Sequence, residues 1–133
     1  MAKDGLVTLE SRHPAAETSE RIKAEIEKRG MSIFARVDHA AAARAAGMEL
    51  RPTEVLMFGN PRAGTPLMQA DQTIGIDLPL KLLVWEDGAG KVWVSYNDPV
   101  WLGVRHSMPA SEGDRLKGMA AGLQAIASAA AAA

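Results

Sequence analysis

Between Lys81 and Tyr96 the chain reads KLLVWEDGAGKVWVSY, two apolar runs, Lys81–Glu86 and Lys91–Tyr96, on either side of Asp87-Gly-Ala-Gly90. Glycine supplies the positive backbone angles of a tight connection, so this stretch predicts a hairpin of two antiparallel strands. A chain that contains such a hairpin has to build the rest of its sheet around it.

The flanking segments predict what is added. Gly5–Arg12 is rich in strand formers and runs into His13-Pro14, where proline suits the first position of a helix. From Pro14 to Arg29, Ala15, Ser19, Ile22 and Ile26 fall on one helical stripe, and the pairs Glu17/Arg21 and Glu25/Arg29 stand four residues apart. Gly30 is placed to close that helix. In Met31–Val37, Met31, Ile33, Ala35 and Val37 alternate on one side of a strand. Asp38 is placed to cap HAAAARAAG, a short helix ended by Gly47, and Pro52–Gly59 returns to strand composition. A short helix is expected from Pro66 to about Thr73 with Thr65 as its cap, and IGIDLP links it to the hairpin. Beyond the hairpin, Asn97-Asp98-Pro99 stops the strand and VWLGVRH makes a helical turn. Ser111–Ala127 forms the closing helix, with Leu116, Met119, Ala120, Leu123 and Ile126 on one stripe. The alanine-rich tail, 128–133, is expected to fray.

Helices inserted between strands of an antiparallel sheet predict an α+β two-layer sandwich. It has a largely antiparallel sheet of about five strands, two longer helices on one face and short helices between strands. At 133 residues this is one domain, taken as residues 5–127. VLMF and LLVW are apolar on both faces, yet a two-layer fold covers only one face with its own helices, so a homodimer is expected to cover the other.

Charge and composition narrow the partners. Fifteen Lys and Arg against 16 Asp and Glu leave a net charge of −1, too balanced a field to collect nucleic acid or anionic lipid. The absence of cysteine removes disulfides and thiolate chemistry and suits a reducing compartment. No run approaches the ~18 apolar residues of a membrane span and the amino terminus has no secretory pattern, so the expected location is the cytoplasm, away from the membrane.

Three motifs, ARVDHAAAARAAGMELRPTEVLMFGNPRAGTPLMQ, IDLPLKLLVWED and KVWVSYNDP, together resemble the bacterial and archaeal family of domain of unknown function 302 over nearly all of residues 5–127. The resemblance implies an α+β sandwich of TATA-binding-protein-like topology that forms dimers, and it brings no established activity.

FGNPRAGTP, Phe58–Pro66, concentrates two Gly, two Pro, an Arg and a Thr in nine residues. Gly59 and Gly64 permit successive N–H groups to point into one concavity, and a helix start at Thr65 adds free donors, an arrangement suited to an anion or carboxylate. Arg62 is a candidate clamp and Asn60 a candidate amide donor. The plain alternative is that Gly and Pro only shape a strand-to-helix connection. Lys81, Tyr96, Asn97 and Asp98 stand at strand ends from which they can join this loop in one polar pocket, with Asp98 or Asp77 as a base; singly, each reads as an ordinary cap or a solvated charge. The three histidines, His13, His39 and His106, show no metal-ligand spacing, so neither a metal nor a cofactor is expected. Asp38 beside His39 is the best-placed carboxylate–imidazole pair, and Trp101 is the one tryptophan expected at a pocket or dimer seam.

Three functions follow: a homodimeric binding or sensing module for a small anionic or polar ligand, the preferred reading; an enzyme using Asp38/His39 or Asp98/Lys81 in proton transfer; or a structural or partner-binding domain without a ligand.

Overall fold

The computed structural model describes residues 3–133. Five strands, β1 (Leu6–Ser11), β2 (Ser32–Asp38), β3 (Thr53–Gly59), β4 (Leu80–Glu86) and β5 (Val92–Asn97), form one open sheet in the order β1-β5-β4-β3-β2, and every neighbouring pair is antiparallel. The helices are α1 (Ala15–Lys28), α2 (His39–Ala45), α3 (Pro61–Ala70), α4 (Pro99–Arg105) and α5 (Gly113–Ala131), with 3-10 turns at Gln72–Asp77 and Ala110–Glu112. The result is the α+β architecture expected from the element order.

The expected hairpin is β4–β5, at the middle of the sheet. Its turn is held by Asp87, whose Oδ1 accepts from the backbone N–H groups of Ala89 and Lys91 and whose Oδ2 accepts from the Trp93 indole, each at 2.9 Å. The hydrogen bond from Trp93, followed by that from the Lys91 backbone, holds the Asp87 carboxyl below the usual carboxylate range.

The core lies between one sheet face and the pair α1/α5. The predicted α1 stripe is buried: Ala15, Ser19, Ile22 and Ile26, joined by Thr18. Leu123, Ile126, Ala127 and Ala130 of α5 meet it above Leu56 and Phe58 of β3, Leu82 and Val84 of β4, and Val92, Val94 and Tyr96 of β5. The opposite face carries Val37, Val55, Met57, Leu83, Trp85 and Trp93, with Trp85 stacked on Trp93 at a centroid separation of 6.1 Å. Val55, Met57, Leu83, Trp85 and Trp93 are only half-buried.

Four expectations are corrected. First, β2 does not keep a single alternation: Ile33 pairs with Phe58 but Ala35 pairs with Met57, so Phe34 is a bulge. A bulge sets two residues opposite one and reverses the faces beyond it, and Ala35 and Val37 therefore lie on the opposite side from Ile33. Second, the helix after β3 begins at Pro61, not Pro66, with Asn60 as its cap, and Pro66 is accommodated inside it. Third, the closing helix starts at Gly113 after a 3-10 turn.

Fourth, the alanine tail does not fray, since α5 continues to Ala131 with Ala130 and Ala131 buried. Alanine has the highest helix propensity and its methyl fits where α5 closes on α1. The carbonyls at that helix end are also occupied: Arg21 Nε donates to Ala130 O at 2.8 Å, Arg21 Nη2 to Ala129 O and Ala132 O, and the Arg12 backbone N–H to Ala131 O at 2.9 Å. A cation on the last carbonyls also meets the negative end of the helix dipole.

Candidate functional site

The stretch FGNPRAGTP forms a strand end and a helix start rather than an open loop. Asn60 Oδ1 accepts from Arg62 N at 2.9 Å, and Asn60 O accepts from Ala63 N at 2.9 Å and from Gly64 N at 3.2 Å. Pro61 has no N–H, and from Thr65 onward the amides lie inside α3. The successive N–H groups of Arg62, Ala63 and Gly64 are therefore not available to hold an anion, because internal oxygens already use them. Thr65 is a residue of the second turn of α3 and caps nothing.

Beside this helix start lies a cavity of about 550 Å³. Its floor is the end of the sheet, with Phe58 and Gly59 of β3, Leu80 of β4 and the bulged Phe34 of β2. One wall is α3, through Ala63, Gly64, Thr65 and Met68; the facing wall is α5, through Gly118, Met119, Gly122, Leu123 and Ile126. Leu78 and Pro79, just before β4, also line the cavity. Among the lining residues only Asn60, Thr65 and Arg115 carry polar side chains, and all three are exposed, so the interior is apolar and the polarity sits at the mouth.

The α5 wall is unusual for a helix. Beyond the backbone of α5 itself and the adjoining residues, a Cβ added to Gly118 or Gly122 would meet no atom of the described residues within 4 Å. Glycine in a helix interior costs about 1 kcal/mol relative to alanine, so packing does not explain these two residues. Their effect is to leave the cavity wide.

The cavity brings together Gly59, Asn60, Gly64 and Thr65 from the predicted set, and leaves out Arg62, Lys81, Tyr96, Asn97 and Asp98. Arg62, in the first turn of α3, is exposed. Lys81 Nζ donates to the carbonyls of Asp77 and Pro79. Tyr96 is in the core, where burial pushes its phenol above the ordinary value. Asn97 is exposed, and Asp98 caps α4 by accepting from Val100 N at 2.9 Å. Lys81 and Asp98 bond to other groups and not to each other; Asp38 spends its Oδ1 on Ala41 N, and His39 is exposed with no bond to it. The two proton-transfer pairs expected from the sequence are thus not assembled. Trp101 lies over Gly5 rather than at the cavity: a Cβ on Gly5 would stand 2.2 Å from its indole.

One cluster escaped the sequence reading. His106 Nε2 lies 2.5 Å from Asp77 Oδ2 and its Nδ1 lies 3.0 Å from Thr73 Oγ1, while Arg105 Nη1 donates to both oxygens of Asp77. Thr73 Oγ1 and N both donate to Asp71 Oδ1, and these bonds, the hydroxyl's first, hold the Asp71 carboxyl below its ordinary value. The cluster ties the 3-10 turn before β4 to the end of α4 and shares no residue with the cavity lining. Its members are about thirty residues apart in sequence, so no local motif announces it.

Three comparisons bear on the chain. The family model described as "Domain of unknown function DUF302" matches residues 7–130. The chain is 55% identical over 118 residues to "Fluoride-specific ion channel FluC 1" of Brucella suis biovar 1, covering 89% of this chain and 46% of that protein. The protein of the same name from Brucella abortus biovar 1 is also 55% identical, with 44% of its length covered. The chain thus spans somewhat under half the length of the curated relatives it matches. The crystal structure of an uncharacterized conserved DUF302 protein from Bacillus stearothermophilus superposes with a TM-score of 0.85 at 17% identity, over 96% of this chain and 99% of that one, a likeness of fold alone. No helix among the described residues is long and apolar enough to cross a membrane.

Proposed function

Because the chain belongs to the DUF302 family, whose description assigns no activity, we propose from the cavity itself that it is a binding or sensing module for a small ligand. The observation that carries this reading is a cavity of about 550 Å³ with an apolar interior and polar groups only at its mouth. Ligand sites typically run to about 300–1,000 Å³ with this division of apolar wall and few polar groups. Gly118 and Gly122 support it further, since they keep open a space that alanine would narrow while strengthening the helix.

The module works as a homodimer in this reading, with the sheet face of Trp85 and Trp93 covered by a second copy. A chain free of cysteine, with a net charge of −1, suits a cytoplasmic location. Sedimentation checks the dimer: a monomer at high micromolar concentration removes it.

Gly122→Leu is the test of the cavity. Leucine is expected to stabilise the unliganded protein by roughly 0.5–1 kcal/mol through helix propensity while its side chain occupies the ligand's space. Mass spectrometry of small molecules retained on native purification should then find a compound on the wild type that is lost from the variant. Identical retained sets would remove the cavity from consideration.

A second reading rests on the relatives named as fluoride channels, whose matched segment occupies under half of their length. On this reading the segment is an accessory to a pore formed elsewhere in those proteins, and the present chain serves such a channel as a separate partner. Deleting the 118 matched residues from the Brucella suis protein should change fluoride flux in proteoliposomes severalfold, with recovery when the present chain is added. Equal flux in all three preparations ends this reading.

A further inference from the structure

Resting on the cavity reading above, we propose that the ligand is an amphipathic carboxylate: an apolar acyl or aryl body held in the cavity, with its carboxylate at the mouth against Arg115.

The interior excludes a polar body. Phe58, Leu78, Leu80, Leu123 and Ile126 line it, and a polar group moved there from water without a partner costs several kcal/mol in the least favourable case. Met31, Met68 and Met119 add flexible, polarizable surface that adjusts to ligands of different outline. The mouth has the opposite character, and the one charged side chain that lines it is a cation. Arg115 lines the cavity, and its Nε is engaged by Glu112 Oε2 at 3.0 Å, but its two terminal nitrogens have no hydrogen-bond partner among the described residues. Asn60 spends its Oδ1 on capping α3, which leaves its amide nitrogen without a partner, and the Thr65 hydroxyl likewise has none among the described residues. No aspartate or glutamate lines the cavity. Apart from the Nε bond to Glu112, the mouth thus presents the two terminal nitrogens of a guanidinium, an amide and a hydroxyl with no acceptor among the described residues, and a carboxylate is the group that takes two parallel bonds from such a fork.

The carboxylate is therefore bound by side chains at the mouth. The backbone amides at the start of α3, the donors that the sequence suggested for an anion, play no part.

The probes are decanoate, decanol and 2-naphthoate, titrated calorimetrically at neutral pH into the wild type, Arg115→Met and Gly122→Leu. Methionine keeps the aliphatic stem at 115 and removes the charge. Decanoate is expected to bind the wild type about tenfold more tightly than decanol, and Arg115→Met to erase that preference while leaving the affinity for decanol unchanged. The ratio of decanoate to 2-naphthoate then tells an acyl body from an aryl one. Equal affinity for decanoate and decanol in the wild type, or a preference that survives in Arg115→Met, overturns the carboxylate while the cavity stands. Failure of every probe to bind overturns both readings. So does sedimentation in which a wild-type dimer becomes monomeric on Gly122→Leu, because the occupant is then a second copy of the chain.

Discussion

Replacing Phe58 with alanine is expected to lower the unfolding free energy by about 3–5 kcal/mol, the range for a fully buried aromatic truncated in a packed interior. Phe58 is only 1% exposed and belongs to the main core cluster. Its β-strand neighbours, Ile33 on β2 and Leu80 on β4, pair with it directly and are held by their own ladders. The hole left by the ring therefore cannot close by moving the sheet. Phe58 also forms part of the floor of the cavity, so truncation merges the new void with the existing one. For a domain of this size the loss corresponds to a fall in melting temperature of roughly 10–20 °C, read by thermal or urea unfolding. A loss below about 1 kcal/mol would mean that the ring does not contribute to a packed core.

Removal of residues 128–133 is the second large effect, expected to cost roughly 3–4 kcal/mol. Two buried alanine methyls, at 130 and 131, go with the segment, at about 0.8 kcal/mol each. The three bonds from Arg21 and the one from the Arg12 backbone go too, each with a net contribution of about 0.5–1.5 kcal/mol, diminished where water takes over. Arg21→Met keeps the alanines and removes only the cation, so it should cost less, about 1–2 kcal/mol. Urea unfolding of the three proteins separates the contributions. Equal midpoints for full-length and shortened chains would show that the alanine run fails to dock.

The elements most legible in the sequence were those whose determinants are local. The β4–β5 hairpin followed from Asp87-Gly-Ala-Gly90, and α1 from the spacing of Ala15, Ser19, Ile22 and Ile26. The Asp38 cap on α2 depends on one side chain and a backbone N–H three residues on. Misreadings arose where two local rules competed. Pro66 looked like the first residue of a helix, but Pro61 after Asn60 satisfies the same rule earlier, and the extra turn packs Leu67 into a smaller core cluster with Ile74 and Leu116. The bulge at Phe34 left no trace in the alternation of apolar residues, since alanine and valine are acceptable on either face. The alanine tail looked like a fraying end because its anchor, Arg21, is more than a hundred residues away.

The candidate site divides in the same way. The sequence marked Phe58–Pro66 as the place where the backbone does something unusual, and Gly59, Asn60, Gly64 and Thr65 do line the cavity. It pointed to the wrong donors, because a glycine-rich stretch reads as a nest of free amides until the helix that consumes them is in view. The facing wall was invisible: Gly118 and Gly122 sit on the same helix as an ordinary apolar stripe, and only the approach of α5 to α3 and the end of the sheet turns them into empty space.

By itself the sequence determined the kinds of element, their order, the antiparallel character of the sheet and the helix faces that had to be buried, because periodicity, caps and turn residues act within a few positions of the chain. The tertiary structure decided which donors are spent, which polar groups meet and where a cavity stays open. Those properties depend on distances between segments far apart in sequence, and no local preference encodes them.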